Sequence, residues 1–295
     1  MIHGGGHMML SKKAIRPYQC THLLERGFLP VSINYRLCPE TTLDGTMEDI
    51  LDNLKWIRSA LPGIAQRRNL DIDPSNIVAM GWSAGGHLAM SLGWKATQAR
   101  IAPPSAVLAF YPPSDYEAMH WWLPIDVTRL EPTMSMAEIL NRLPKDALQE
   151  YHIAPEIGRA EGWIELGDAW SELVLHSVRD GLSIPLLLRG LDMREDAPRP
   201  SKEEIAAISP LHHVRSGSYQ VPTYIIHGTG DKLVPADMSV ALHDTLKQKG
   251  IATGLTLVPE TSHTFDLFLK PGERRGGEYV KPGLDFVEQA VQRGR

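Results

Sequence analysis

The feature that most limits how this chain can fold is a serine between two glycines, in the string GWSAG at residues 81–85. Residues 76–82 form an apolar segment that predicts a buried strand, and residues 84–96 carry small residues and leucines at helical spacing. A serine at such a turn is held in a strained conformation that exposes its hydroxyl, and the glycines let neighbouring backbone approach. The pattern favours a nucleophile over a structural turn serine.

Apolar segments of strand length recur along the chain, and each ends in a polar or glycine- and proline-containing loop. They are residues 28–35, 106–111, 223–227 and 254–258. Helical patterns alternate with them, as at residues 14–26 and 46–60. Strands alternating with helices predict an α/β fold with a mostly parallel sheet covered on both faces.

This alternation stops between about residues 115 and 210, where short helical strings such as MAEILNRL and KEEIAAI stand among tryptophans. We expect residues 1–295 to form one domain, with this stretch inserted as a helical cap where ligands of open α/β sheets bind. The candidates for an apolar substrate pocket are His7, Trp82, Trp121 and Trp122. Any single tryptophan of the cap, Trp163 and Trp170 included, more often fills the cap's own core.

A serine hydroxyl needs an imidazole to take its proton and an acid to orient that imidazole. Asp231 follows the strand-like string VPTYIIHGTG, and His263 follows GLTLVPE, so both should lie past strand ends near Ser83. They are predicted as the orienting acid and the general base of a catalytic triad. Asp266 is the alternative acid, and a turn residue that caps the next helix is the alternative interpretation of Asp231.

The string HGGGH at residues 3–7 predicts an oxyanion hole, because residues without side chains let several N–H groups converge on a developing negative charge. We assign this role to the N–H groups of Gly5, Gly6 and Ala84. A phosphate-binding loop would need the lysine and the serine or threonine that are missing here. The two histidines lack accompanying ligands at metal-binding spacing, so we predict neither a metal nor a cofactor.

Five strings together resemble the hormone-sensitive-lipase-like branch of the α/β hydrolases, nearly from end to end: HGGGH, NYRLCPE at 34–40, GWSAGGHLA at 81–89, DKLVP at 231–235 and SHTFD at 262–266. Longer strings, such as HGGGHMMLS and GFLPVSINYRLCPE, are similar to the C-terminal hydrolase or thioesterase domains of fungal non-reducing polyketide synthases that carry a methyltransferase domain. They are also similar to stand-alone hydrolases of fungal polyketide gene clusters. The resemblance implies the α/β-hydrolase fold and a Ser83, Asp231 and His263 triad.

The substrate that the resemblance implies is a polyketide acyl thioester on an acyl carrier protein. The acyl group would pass to Ser83 and then to water, releasing the chain from a synthase, also in trans. An acyltransferase that uses a second chain or an alcohol as acceptor is one alternative, and a general carboxylesterase is another. A non-catalytic receptor would be expected to lose a triad member or an oxyanion glycine, and all are retained here.

Composition excludes other classes of function. The net charge is −5 and the basic residues are scattered, which does not favour a nucleic-acid partner. The lack of an apolar run of about 20 residues and of a signal-peptide pattern predicts a cytoplasmic protein without a membrane span. Cys20 and Cys38 are expected to be free thiols.

In the wider family the first strands of the sheet precede the HGGG string, whereas here that string begins at residue 3. We therefore expect a sheet that is shortened at this edge. Because unpaired edge strands invite association, a homodimer that covers the edge is a further hypothesis.

Overall fold

The protein is described by a computed structural model that covers residues 1–125, 132–142, 168–190, 199–267, 269, 273 and 276–293. Within these residues one sheet contains four strands in sequence order: β1 (Val78–Trp82), β2 (Ala106–Phe110), β3 (Thr223–Gly228) and β4 (Thr253–Val258). Every neighbouring pair is parallel. The carboxyl ends of the strands therefore meet at one edge, and the predicted α/β class is confirmed.

Helices lie before, between and after these strands, and three of them overlap the helices predicted at residues 14–26, 46–60 and 84–96. The helices of the described residues are α1 (Pro17–Glu25), α2 (Leu43–Ser59), α3 (Leu61–Gln66), α4 (Ala84–Gln98), α5 (Met136–Arg142), α6 (Ala169–Arg179), α7 (Ser183–Arg189), α8 (Lys202–Ile208), α9 (Pro210–Ser216), α10 (Ala236–Gln248) and α11 (Lys281–Arg293). A short 3-10 helix spans Met119–Trp122 and a π-helix spans Gly276–Val280. None of the described helices combines the length and apolarity that crossing a bilayer requires.

Two apolar cores lie on opposite faces of the sheet. Val107 and Ile225 pack into the larger core with residues of α2, α4 and α10, whereas Leu108 and Ile226 pack into the second core with residues of α1 and α11. Successive side chains of a strand point to opposite faces. Helices therefore cover both faces, and β1, β2 and β3 are largely buried, as their apolar runs predict. The prediction of a buried strand at residues 254–258 is wrong in its burial, because β4 is the last strand of the sheet and Leu257 is 39% exposed.

The prediction of a strand at residues 28–35 is wrong. Ile33 forms only an isolated parallel bridge with Ile2, which bridges to Gly81 on its other side. The N–H of Ile2 donates to the carbonyl of Met80 at 2.8 Å, so this short segment continues the sheet beside β1. Pairing stops after one bridge because the chain turns away at the glycine loop, residues 4–6. That a second copy covers this edge stays a prediction.

Helix α6, within the predicted cap, packs over the glycine loop. The indole N–H of Trp170 donates to Glu40 Oε1 at 2.8 Å, and the buried Glu172 accepts the N–H of Thr133 at 2.8 Å. A Cβ added to Gly6 would lie 3.5 Å from the side chain of Val174 on α6. The predicted limits of the cap extend over residues outside the described ranges, Trp163 among them.

Both cysteines are free thiols, as predicted. Cys38 is fully buried, and this burial raises the pKa of its thiol to about 12.

Candidate active site

Ser83 occupies a sharp turn between β1 and α4. Its φ of 54° and ψ of −123° form a combination that residues with side chains rarely adopt. A Cβ added to Gly81 would overlap the carbonyl oxygen of Gly85, and one added to Gly85 would overlap that of Ile2. The flanking glycines are therefore required by close backbone approach, and the strained turn presents the serine at the carboxyl edge of the sheet.

The structure brings the three residues of the predicted triad together. His263 Nε2 lies 2.9 Å from Ser83 Oγ, and His263 Nδ1 lies 2.6 Å from Asp231 Oδ2. The residues follow β1, β3 and β4, which end at the same edge. Both distances suit hydrogen bonds along which a proton could move. The arrangement can activate the serine hydroxyl as a nucleophile, with the carboxylate holding the imidazole in one tautomer.

Asp231 is held by hydrogen bonds to both of its carboxylate oxygens. Its Oδ1 accepts the backbone N–H groups of Leu233 at 2.9 Å and Val234 at 3.0 Å. Its Oδ2 accepts from His263 and, at 3.2 Å, from His227 Nε2. Burial alone would raise the pKa of Asp231, but the neighbouring His263 and these hydrogen bonds outweigh it and hold the pKa well below its ordinary value. The carboxylate is therefore ionised at neutral pH.

His227, at the end of β3, is a buried residue of this site that the sequence reasoning missed. Its Nε2 lies 2.9 Å from the carbonyl oxygen of Val234, and its Nδ1 lies 2.6 Å from Ser239 Oγ. Because a carbonyl only accepts, Nε2 carries the proton and is shared between Val234 and Asp231. The signal available in the sequence was a histidine four residues before Asp231, at the end of a predicted strand.

Asp266, the alternative acid, belongs to a different network. It is fully buried and accepts Tyr111 Oη–H at 2.6 Å and Gln19 Nε2–H at 2.8 Å, while Arg16 Nε lies 3.5 Å away. The ring of Tyr111 packs edge-on against that of His263, with 4.6 Å between centroids. Asp266 therefore anchors the loop that carries His263 to Tyr111 and Gln19. The Nδ1–H of His263 donates to Asp231 instead.

The glycine loop lies against the nucleophile. A Cβ added to Gly4 would approach Ser83 Cβ to 3.3 Å, and Gly5 and Gly6 have φ angles of 97° and 61° that favour glycine. Among the described residues, none accepts a hydrogen bond from the N–H of Gly5, Gly6 or Ala84. These three amides are thus available to a negatively charged oxygen, and their catalytic role stays a prediction.

Trp82 lies in the core behind the nucleophile. Its ring stacks on Phe110 at 5.8 Å between centroids, the guanidinium of Arg16 lies 5.1 Å from the ring centroid, and only 1% of the residue is exposed. These surroundings do not support the predicted pocket role. The sequence pattern could not show this, because a large apolar residue beside a nucleophile suits a core and a pocket equally.

Two further pocket candidates are also enclosed. Trp121 is 6% exposed and stacks on Tyr116, and His7 is 2% exposed and contacts His87. Trp122 is partly exposed and remains the candidate whose position fits a pocket wall. The described residues contain no group of three or more histidine, cysteine or acidic side chains that could hold a metal ion.

Family models match both halves of the chain. Residues 1–156 match the model described as alpha/beta hydrolase fold, and residues 191–294 match that of the prolyl oligopeptidase family. Residues 157–190, which belong to the predicted cap, lie between these two matches.

Curated relatives match nearly the whole chain. Non-reducing polyketide synthase Preu6 of Preussia isomera is 41% identical over 290 residues, which are 98% of this chain and 13% of that protein. Non-reducing polyketide synthase atr1 of Stereocaulon alpinum is 40% identical over an alignment of 300 positions, which covers 100% of this chain and 12% of that protein. The 5-methylorsellinic acid synthase of Aspergillus terreus is 39% identical over an alignment of 308 positions, which covers 97% of this chain and 12% of that protein. The chain spans about one eighth of the length of these relatives.

Solved structures share the fold at low sequence identity. The Bacterial Heroin Esterase aligns with a TM-score of 0.61 at 22% identity, covering 98% of this chain and 73% of that one. Carboxyl esterase 2 of the mycorrhizal fungus Tuber melanosporum aligns with a TM-score of 0.59 at 17% identity, covering 98% and 77%.

Proposed function

Because the chain belongs to the α/β-hydrolase family and is a serine hydrolase, we propose that it cleaves a polyketide acyl thioester, carried by an acyl carrier protein, through an acyl-serine intermediate at Ser83. The observation that carries this proposal is the hydrogen-bonded line from Asp231 through His263 to Ser83, in a chain about 40% identical to a segment of non-reducing polyketide synthases. These hydrogen bonds support nucleophilic catalysis at Ser83, and the similarity to polyketide synthases supports a polyketide substrate.

In the first half of the reaction, Ser83 Oγ attacks the thioester carbonyl carbon while His263 Nε2 takes the hydroxyl proton. The ionised Asp231 stabilises the imidazolium that forms. The N–H groups of Gly5, Gly6 and Ala84 stabilise the oxyanion of the tetrahedral intermediate. The carbon–sulfur bond then breaks, and the thiolate of the carrier leaves with the proton from His263.

In the second half, His263 Nε2 takes a proton from water, and the resulting hydroxide attacks the acyl-serine carbonyl carbon. The ester bond to Ser83 breaks, its Oγ recovers the proton from His263, and a carboxylic acid leaves. An alcohol or a carbon nucleophile in place of water would give acyl transfer by the same steps. The acceptor is therefore decided by what reaches the acyl-serine, because the triad treats each of them alike.

The surroundings of the carboxyl edge suit an apolar acyl chain. Met119 is 68% exposed and Leu123 is 53% exposed, at the two ends of the 3-10 helix that follows β2. His120 Nε2 lies 2.9 Å from the carbonyl oxygen of Leu233, which ties this helix to the loop of Asp231. Exposed apolar side chains on an element that contacts the loop of Asp231 favour a substrate with a hydrocarbon portion.

The test is incubation with a synthetic β-ketoacyl thioester, with and without a second acyl thioester, followed by mass spectrometry of the products. Ser83→Ala sets the baseline, and Ser59→Ala, at an exposed hydroxyl on α2, is the matched control. Free acid in both mixtures supports a releasing thioesterase. A Ser83-dependent product that joins both chains shows acyl transfer instead.

Two results would contradict the proposal. Equal turnover of p-nitrophenyl acetate and of long β-ketoacyl thioesters would indicate a general carboxylesterase. Folded wild-type protein that neither turns over a thioester nor reacts with a fluorophosphonate probe at Ser83 would exclude the nucleophile altogether.

A further inference from the structure

Two buried histidines contact each other behind the candidate active site. His7 Nε2 lies 3.0 Å from His87 Nδ1, and the rings meet edge to face. His87 is fully buried and His7 is 2% exposed, so neither ring faces solvent. The steps described for the triad and the oxyanion leave both of them without a role.

The protons of this pair can be assigned from its partners. His87 Nε2 lies 2.8 Å from the carbonyl oxygen of Ile208, which only accepts, so Nε2 carries the proton. In a neutral ring Nδ1 is then an acceptor. His7 Nε2–H must therefore donate to His87 Nδ1. Burial lowers the pKa of His87 to about 4, and burial with the nearby His87 lowers that of His7 well below its ordinary value. Both rings stay neutral at physiological pH, and the bond keeps one direction.

The bond joins the two chain segments from which the oxyanion hole is built. His7 directly follows the glycine loop, and His87 lies on the first turn of α4, where its N–H donates to the carbonyl of Ser83 at 3.2 Å. The N–H groups assigned to the oxyanion come from both segments, Gly5 and Gly6 from one and Ala84 from the other. An oxyanion hole works only when its donors are fixed relative to each other before the charge develops.

We propose that His7 is a positioning residue, whose hydrogen bond to His87 holds the glycine loop in register with the N-terminus of α4 so that their N–H groups converge on the oxyanion. This inference rests on the proposed function, since it concerns the same site. It also reassigns His7, which the sequence had suggested as a wall of the substrate pocket. A displaced loop would weaken stabilisation of the transition state more than binding of the ground state.

The test compares two replacements of His7. In His7→Gln the side-chain amide can place an N–H donor near the position of Nε2, whereas His7→Leu keeps the bulk without the donor. Complete loss of an oxyanion donor typically costs about 10²–10³ in rate. A displaced loop still presents its N–H groups, so the loss of rate should be smaller. We expect His7→Leu to lower kcat about 10–100-fold with little change in KM. His7→Gln should recover most of that loss.

The matched control is His213→Leu. His213 is also a buried histidine, with its Nε2 2.9 Å from the carbonyl oxygen of Ala207 and its ring stacked on Trp94. Thermal melting of every variant is measured beside kcat and KM, together with the inhibition constant of a trifluoromethyl ketone that forms a hemiketal oxyanion at Ser83. The oxyanion mimic should bind His7→Leu more weakly in proportion to the loss of kcat.

Three results would overturn the inference: unchanged kcat in folded His7→Leu, an equal loss of kcat in His7→Gln, or an equal loss in His213→Leu. If His7→Leu does not fold, His7→Asn replaces it, because its shorter amide is polar but does not reach His87. Equal activity of the Asn and Gln variants would then refute the proposed role. Absence of Ser83-dependent activity in the wild type would instead refute the proposed function, so the two failures are distinguishable.

Discussion

Replacement of Asp266 by asparagine should destabilise the protein through the charge that it leaves behind. Asp266 is fully buried, and the side chain of its partner Arg16 is only 6% exposed. Asparagine keeps nearly the same shape and can still accept the hydrogen bond of Tyr111 Oη. The substitution therefore removes the negative charge of the pair while disturbing the packing very little.

The expected loss of unfolding free energy is about 3–5 kcal/mol, the usual cost of removing one partner of a buried ion pair. With an unfolding entropy of about 2.1 cal/mol/K per residue, a chain of 295 residues has about 0.6 kcal/mol/K. The melting temperature should then fall by about 5–8 °C.

The assay is urea unfolding followed by circular dichroism, with Asp44→Asn as the control. Asp44 also pairs with a cation, Lys95, but its side chain is 72% exposed, so its loss should cost no more than about 1 kcal/mol. The double variant Arg16→Met/Asp266→Asn should be more stable than Asp266→Asn, since it carries no unpaired charge. A loss below about 1 kcal/mol for Asp266→Asn, or a double variant that is no more stable, would refute the reasoning.

Three further predictions concern the same site. Gly5→Ala should lower kcat about 10²–10³-fold, because the added Cβ would overlap the carbonyl oxygen of Met9 at a φ of 97°; steady-state kinetics with unchanged kcat would contradict this. His227→Leu should lower the unfolding free energy by about 1.5–3 kcal/mol through the lost hydrogen bond to the ionised Asp231, and an unshifted urea midpoint would count against it. The folded state lowers the pKa of His87 from 6.5 to about 4, so the unfolded state binds the extra proton and stability should fall as the pH drops through that window. Urea midpoints measured from pH 7 to pH 4 should show a smaller decrease for His87→Asn than for the wild type.

Local patterns in the sequence were sufficient for most of the framework. The apolar runs that became β1, β2 and β3 are largely buried on both faces, so their composition alone distinguishes them from amphipathic helices such as α2. The turn at Ser83 was predictable because backbone overlap at Gly81 and Gly85 excludes larger residues. The order of Ser83, Asp231 and His263 placed each of them after a strand, and parallel strands necessarily end at one edge.

Contacts between distant segments lay beyond those patterns. Residues 28–35 have the composition of a strand, but a strand also needs a neighbouring segment with which to form hydrogen bonds. The segment beside it pairs with it at a single position, Ile2 with Ile33. In the sequence, Asp231 follows a predicted strand and Asp266 lies three residues after His263, so either could be the acid of the triad. Only the fold shows that Asp231 bonds to His263 and that Asp266 pairs with Arg16.

The sequence by itself therefore determined the α/β class, the strand-to-helix turn and the three residues that meet there, because steric and apolar requirements act within a few residues of the chain. Only the tertiary structure decided which polar groups share the buried space around them, such as His227 on Asp231 and His7 on His87. A hydrogen bond depends on the position and direction of two atoms to within fractions of an ångström. That relation is set by the packing of whole elements, and no spacing along the chain encodes it.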